Sequence, residues 1–479
     1  MSDCDGIQDF SDCLLAGLWP FFLPVESLLS NDCGSGRDIF LSSVVKSVVI
    51  KPHVERESRL LRLFKPLKWP KSSLECHSWS GLSSALTGRV AFLKLATMIS
   101  PVTPGLDALR AGDAAELERE WRGQKCALLF NPTGAARDDT SALDVCHERG
   151  IELVSLFSPE HGPRADREGD IESSTEENLP IHSLYGATRR PTPAMLNGLE
   201  TILCDLQDVG ARFYTYSSTI FHILEEALPR GIRVVVLDRP NPLGGKVVEG
   251  PIIEEELRSF IGYAPLPVTH GLTMGELARF FVRWRGLDES LLVVVPVQNW
   301  TRAQLWPQTG LKWRQPSPNL PDFRSAAWYP GLALLEFSGV SVGRGTKAPF
   351  QILAAPWLDF ARMQKALEGA FENTNFSFER VEVTPTRATF EGQHCVGIRF
   401  EYEMGVPSHP VEFGLRVMAA LRRAHPDFSP ELWRKAGQLL GSKRVLDALW
   451  NGYLENALDI ARSDSEKFKR ERETVLFYG

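Results

Sequence analysis

The chain has eight cysteines but no CxxC pair, and four of them (Cys4, Cys13, Cys33, Cys76) fall in the first hundred residues. That spacing excludes a zinc ribbon and a disulfide framework, and predicts reduced, cytosol-compatible thiols. No His-x-x-x-His occurs, so the usual helical zinc-hydrolase spacing is missing too. Basic residues are outnumbered: 53 Lys and Arg stand against 60 Asp and Glu, for a net charge of -7 and a pI near 5.9. Such a balance lacks the cationic footprint of a nucleic-acid binder. Long apolar runs are also absent. The patch from Leu14 to Val25 is too short to span a bilayer and follows Asp3, Asp5, Asp9 and Asp12 instead of a positive leader, so neither a membrane span nor a secretory signal is read there. The Gly244-Gly245 pair forms no GxGxxG and opens no helix, which discounts a dinucleotide site. No internal repeat or low-complexity tract appears.

What is present is a chain of 479 residues with 43% hydrophobic content, enough for two or three globular domains. Residues 1–99 differ from the rest, with scattered Lys and Arg between Lys46 and Lys71 and Ser-rich stretches lacking periodicity. They read as a poorly ordered or non-native extension ahead of Met98, the alternative being a small accessory domain. From Pro101 the pattern turns regular. Strand-like runs at 126–131, 151–158, 201–206, 233–237 and 291–297 alternate with helix-like stretches at 140–149, 217–228 and 273–284. That alternation predicts an α/β fold with a Rossmann-like, doubly wound sheet over residues 100–320. After the hinge Ser317-Pro318-Asn319-Leu320-Pro321, residues 321–479 predict a smaller α/β domain.

Four of the strand-like runs end in polar clusters. The first delivers Asn131 into Pro-Thr-Gly, the second Glu160 and His161, the third Asp205, Gln207, Asp208 and Arg212, and the fourth Asp238 and Asn241. Ligands of open parallel sheets bind outside the carboxyl ends of the strands, so these clusters predict one cleft and an enzyme. Glu160 lies on a tight turn beside apolar strand ends, which suits a general acid, or else it caps the following turn. The segment from Asp205 to Tyr216 mixes carboxylates, an amide, an Arg and the rings of Tyr214 and Tyr216, a combination suited to hydroxyl-rich ligands. Asp208 and Arg212 either serve such a ligand or pair with each other. Glu225 follows Ser218 and Phe221 at helical spacing and reads as a second carboxylate or as an ordinary surface Glu. Thr273 and Glu276 have capping-box spacing, which makes Glu276 structural, whereas His270 is a candidate ligand or orienting residue. Gly-flanked Arg344 suits a carboxylate ligand or an exposed turn. Cys126 and Cys204 fall inside strands and read as inert thiols.

These motifs taken in order, Ser-Pro-Glu-His-Gly, Leu-Pro-Ile-His-Ser-Leu-Tyr-Gly (179–186), Asp-Leu-Gln-Asp-Val-Gly-Ala-Arg-Phe-Tyr-Thr-Tyr, Leu-Asp-Arg-Pro-Asn-Pro-Leu-Gly-Gly, His-Gly-Leu-Thr-Met-Gly-Glu, Ser-Pro-Asn-Leu-Pro and Gly-Arg-Gly-Thr, resemble the NamZ family of exo-β-N-acetylmuramidases. The resemblance extends from about Val102 to Leu476-Phe477-Tyr478. It implies hydrolysis of non-reducing-end N-acetylmuramic acid from peptidoglycan-derived MurNAc-GlcNAc saccharides, without a metal or other cofactor. Glu160 is then the leading catalytic residue, Glu225 the second carboxylate and His161 a close neighbour, with Arg212 or Arg344 pairing with the lactyl carboxylate. A second carboxylate would be a nucleophile about 5 Å from the first, or would orient an attacking 2-acetamido group. The chain departs from the family pattern at residues 163–178, which look short and lack the usual Ala-Gly-Glu, and at Ala354-Ala355-Pro356 in place of Gly-Ala-Pro. Two other readings stay open. One is a metal-assisted deacetylase built from His161, Asp205, Asp208, Asp238 and His270; the other is a non-catalytic binder of cell-wall fragments. No nucleic-acid or membrane partner is expected, and the missing leader predicts a cytoplasmic recycling role.

Overall fold

Apolar residues at alternate strand positions belong to two different cores, which is what a sheet covered on both faces requires. In the computed structural model, which describes residues 100–176, 178–371, 376–402 and 406–479, Ala127 and Leu129 of the first strand join one core while Cys126, Leu128 and Phe130 join another. The extension read over residues 1–99 lies outside the described residues. The sheet has seven strands: β1 (Cys126–Phe130), β2 (Leu153–Ser158), β3 (Ser174–Glu176), β4 (Leu179–Ser183), β5 (Thr201–Asp205), β6 (Arg233–Leu237) and β7 (Leu292–Val295). Their order is β3-β4-β2-β1-β5-β6-β7, parallel except for β3, which runs antiparallel to β4. Helices α1 (Gly105–Ala111) and α2 (Ala142–Glu148) cover one face, and α3 (Tyr216–Ala227) and α4 (Met274–Arg285) the other. The five strands and three helices expected here all form, with ends shifted by at most two residues.

The chain leaves β1 toward β2 and β4, then returns to β5 on the other side of β1. The β1/β5 boundary is therefore the switch point of a doubly wound sheet, where the crevice opens at the carboxyl ends. Register aligns those ends: Phe130 pairs with Asp205, Leu129 with Phe157, and Ser158 with Ser183. Strands β3 and β4 escape the sequence pattern because β3 has three exposed residues and β4, Leu-Pro-Ile-His-Ser, contains a proline and no apolar run.

The second half supplies α5 (Phe323–Leu332), β8 (Ile352–Ala355), α6 (Phe360–Ala370), β9 (Phe376–Val383), β10 (Cys395–Tyr402), α7 (Pro410–Ala424), α8 (Pro430–Leu440), α9 (Lys443–Trp450) and α10 (Leu454–Arg472). Its antiparallel sheet has the order β8-β10-β9. One apolar core runs continuously from α3 and α4 into α5, α7 and α10, so the two halves share their interior. No described helix is long and apolar enough to cross a membrane. Cys126, Cys146, Cys204 and Cys395 are free and buried, and burial raises each thiol, that of Cys126 to about 12. Inert thiols follow.

A buried carboxylate sews the first half together. Asp238, at the end of β6, accepts from the amides of Arg239 (3.0 Å) and Gly275 (2.8 Å) and from the hydroxyls of Thr273 (2.7 Å) and Tyr478 (2.5 Å). Thr273 and Glu276 form the expected capping box at the start of α4. Position 275 must be glycine, since a Cβ there would sit 2.5 Å from Val294 and 2.9 Å from the Asp238 carboxyl. Burial outweighs these donors and pushes the Asp238 carboxyl up to about 6. A folded value above the unfolded one favours the protonated native state, so this contribution to stability is complete below about pH 4 and is lost as pH rises through about 6. The rise from 3.8 to about 6 corresponds to about 3 kcal/mol. Denaturant unfolding of wild type and Asp238→Asn from pH 4 to 7 should show the difference in stability, wild type minus variant, falling by about that amount. A difference independent of pH would contradict this reading.

Candidate active site

The end of β2 is a strained turn. Gly162 N–H donates to the Pro159 carbonyl at 3.1 Å, and His161 sits in the left-handed region at φ 71, followed by Gly162 at φ 74. A non-glycine residue pays on the order of 1–2 kcal/mol there, a cost that recurs at functional sites. His161 is anchored by its Nδ1–H, which donates to the Arg167 carbonyl at 2.6 Å. The turn aims Glu160 at the start of α3, where the Thr215 hydroxyl donates to its Oε2. The Tyr185 hydroxyl, just beyond β4, lies in the field of Glu160, and burial followed by the Glu160 charge raises Tyr185 far above the usual phenol range. Tyr185 therefore stays a donor.

Two further phenols stand close by. Tyr214 and Tyr216 meet edge to face at 4.6 Å, and both hydroxyls donate to the Pro316 carbonyl, at 3.0 and 2.6 Å. Burial raises both hydroxyls, and the charge of Glu160 adds to this. Asn131 Nδ2 donates to the Tyr216 oxygen at 2.6 Å, while its Oδ1 accepts from the amide and hydroxyl of Thr133.

The facing wall comes from the second half. Tyr329 on α5 packs edge to face with Phe213 at 5.1 Å and Phe350 at 4.7 Å, and its phenol feels the charges of Glu336, Glu160, Arg344 and Asp208. Glu336 accepts from Arg344 Nη1, while Arg344 Nη2 lies 3.1 Å from Glu168. Burial raises the Glu336 carboxyl, Arg344 opposes the shift, and the charges of Glu160 and Glu168 reinforce it. Glu168, which also accepts from Asn319 Nδ2 at 2.6 Å, is held below the usual range despite its burial, chiefly by Arg344 and Asn319. The rebuilt stretch 163–178 thus delivers a carboxylate to the cleft.

Asp208 and His270 form a buried pair in the same electrostatic field. Leu272 N–H donates to His270 Nδ1 at 3.1 Å, so the ring proton sits on Nε2, which faces Asp208 Oδ2 at 3.4 Å. Asp208 Oδ2 also accepts from Gly210 N–H at 2.7 Å. Asp208 Oδ1, His270 Nε2, Gln207 Oε1 and Asn319 Oδ1 are buried without hydrogen-bond partners. Gln207 donates to the carbonyls of Asp208 and Pro240, and with Thr133 lines a cavity of about 110 Å³.

The structure separates the remaining candidates from this cleft. Glu225 is ten residues along α3 from Thr215, about 15 Å at 1.5 Å per residue. It is clamped by Arg190 (2.7 Å), Arg285 (2.9 Å) and Tyr263 (2.8 Å). Asp205 is fully buried against Arg239 at 2.5 and 2.8 Å. Asn241 closes its own turn through Leu243 N–H and Leu272 O, and Asp238 is consumed by the four donors above. Arg212 neither pairs with Asp208 nor faces a ligand. Buried at 1% exposure, it donates to the carbonyls of Pro251, Leu266, Leu439 and Leu440. Arg344, expected to await a ligand carboxylate, already holds two carboxylates of the protein. Tyr185, Thr215, Tyr329 and Glu336 are missed by sequence reasoning, although Glu336 follows the apolar run Leu332–Leu335 in the way the other acids follow their strands. Among the described residues no three His, Cys, Asp or Glu side chains converge so as to hold a metal ion.

Comparison with known proteins is consistent across the chain. Residues 126–324 match the family model described as exo-β-N-acetylmuramidase NamZ, N-terminal, and residues 327–478 match its C-terminal counterpart. The peptidoglycan β-N-acetylmuramidase NamZ of Bacillus subtilis is 34% identical over 384 residues, covering 79% of this chain and 91% of that protein. Crystal structures of two DUF1343 family proteins from Bacteroides fragilis superpose with TM-scores of 0.71 and 0.61 at 30% and 25% identity, each over 79% of this chain and 99% of the other.

If Arg212 serves the fold, Arg212→Ala removes a donor from four buried carbonyls, of which Leu266 keeps the Ile253 amide, and should cost at least about 3 kcal/mol, read from the midpoint of urea unfolding. Unchanged stability would return Arg212 to the pool of ligand contacts.

Proposed function

The chain belongs to the NamZ exo-β-N-acetylmuramidase family, and on that premise we propose that it hydrolyses non-reducing-end β-1,4-linked N-acetylmuramic acid from peptidoglycan fragments in the Glu160 cleft. The observation that carries this reading is the setting of Glu160: a carboxylate at the carboxyl end of a parallel strand, fixed by the Thr215 hydroxyl and close enough for its charge to act on Tyr185, Tyr329 and Glu336. Two carboxylates flanking a sugar are what glycoside hydrolysis requires. Glu336 takes the place first given to Glu225.

In this mechanism Glu160, protonated, gives its proton to the glycosidic oxygen as the C1–O bond breaks. A carboxylate locked against Arg344 is a poor nucleophile, so Glu336 orients the substrate's own 2-acetamido group, whose carbonyl oxygen attacks C1. Glu160, now ionised, takes a proton from the water that opens the resulting ring and returns the sugar with its configuration retained. The partly exposed phenols of Tyr185 and Tyr329 offer hydroxyls and ring faces to the sugar, while Tyr214 and Tyr216, buried and donating to Pro316, back the wall behind Glu160.

A chromogenic β-N-acetylmuramide should be turned over by wild type, and the matching β-N-acetylglucosaminide should not. Glu160→Gln should lower kcat about 10³-fold, Glu336→Gln about 10²-fold, and Glu225→Gln less than about threefold. A chelator should leave the rate unchanged. Full activity in Glu160→Gln, or loss of activity with chelator, would reject the mechanism; loss in Glu225→Gln alone would restore that residue.

A further inference from the structure

An aromatic and arginine track runs from Tyr185 to Trp284. It begins at Tyr185, whose phenol lies in the field of Glu160 and whose ring packs on Phe260 at 5.8 Å. The Arg189 guanidinium lies over both rings, at 4.9 and 4.8 Å. Phe260 packs on His222 at 5.4 Å and His222 on Tyr263 at 4.8 Å. The track then opens into a cavity of about 320 Å³ whose far wall is Trp284, flanked by Arg258 at 5.1 Å and Arg285 at 5.4 Å. Glu225 acquires a role here. It pairs with Arg190 and Arg285, two of the residues that line this cavity.

Charge accounting on this wall points to a ligand. Arg189 has no carboxylate within ion-pair distance among the described residues and is exposed. Arg258 has only the exposed Glu255 at 3.8 Å, and its buried Nε is without a hydrogen-bond partner. Two guanidiniums held in place by stacking on aromatic rings, with their edges free, present forks for a carboxylate, and the ring faces between them suit the faces of a saccharide.

We propose that this track from Tyr185 to Trp284 is the leaving-group subsite, which binds a carboxylate-bearing saccharide on the reducing side of the scissile bond through Arg189 and Arg258. The proposal rests on the muramidase reading, because that reaction leaves a glycan whose next muramic acid carries a carboxylate. Its consequence is specificity: the enzyme prefers acidic glycan fragments over neutral aglycones.

Binding tests the proposal independently of turnover. The full chain is titrated calorimetrically with the disaccharide GlcNAc-β-1,4-MurNAc and with the same disaccharide converted to its lactyl carboxamide. The acid should bind at least about tenfold more tightly than the amide, the worth of one charge-assisted hydrogen bond. Arg189→Gln and Arg258→Gln should each erode that ratio and together abolish it, while binding of the amide stays within about twofold. Both side chains lie at the surface of the fold, and unchanged thermal unfolding of the variants confirms that they fold. Equal binding of acid and amide by wild type, or a ratio that survives the double substitution, overturns the subsite. Failure of the chromogenic assay above with this ratio intact would instead count against the muramidase reading alone.

Discussion

The cleft exists because Arg212 joins two halves of the molecule. Its guanidinium spans carbonyls of the loops at Pro251 and Leu266 and of the last turn of α8 at Leu439 and Leu440. A buried charge is costly unless its donors are answered: both terminal nitrogens here donate twice, Nε alone is left without a partner, and burial lowers this guanidinium to about 9. The same residue lies in the β5–α3 loop, so the clamp that joins the halves also fixes Asp208, Tyr214, Thr215 and Tyr216. Glu160 from the sheet and Glu336 from the second half can then face one another with little freedom. Preorganisation of this kind is what electrostatic catalysis demands.

Around that constraint the charges are arranged unequally. Glu160 is held by the Thr215 hydroxyl, which orients it without neutralising it, whereas Glu336 is locked against Arg344, which also binds Glu168. Two carboxylates in different environments divide the work between proton transfer and charge placement. The strained His161 turn and the anchoring of His161 on Arg167 belong to the same economy: local backbone strain fixes the direction of one carboxylate.

The parallel sheet was legible because its strands are short, continuous apolar runs and their helices carry clear periodicity and caps. The placement of Glu160 at a strand end was legible because it follows such a run on a Pro-Glu-His-Gly turn. Asp205, Asp238, Asn241 and Arg212 were read as ligand contacts for the same reason, and here the argument fails: a polar residue at a strand end also ties the strand to its neighbours, and sequence shows no difference between the two uses. Only burial and the inventory of partners separate Asp238, with four donors on its two oxygens, from Asp208, with an oxygen left over. For Glu225, helical spacing gives the face but not the distance along the axis from Glu160, nor the partners Arg190, Arg285 and Tyr263 that hold it. Glu336 and Tyr329 lie more than a hundred residues from Glu160, and their approach depends on packing between halves that no local pattern encodes. Glu168 emerged from the very loop whose sequence had departed from the family pattern.

The central claim is that Glu160 and Glu336 flank the glycosidic bond of a bound muramic acid residue. A crystal structure of Glu160→Gln soaked with a MurNAc-GlcNAc saccharide tests it most directly. The account predicts the glycosidic oxygen within hydrogen-bond reach of residue 160, the 2-acetamido group beside Glu336, and the reducing-side sugar running over Tyr185 toward Phe260. A saccharide lodged instead in the small cavity at Thr133 and Gln207, or placed with its 2-acetamido group remote from Glu336, would contradict it.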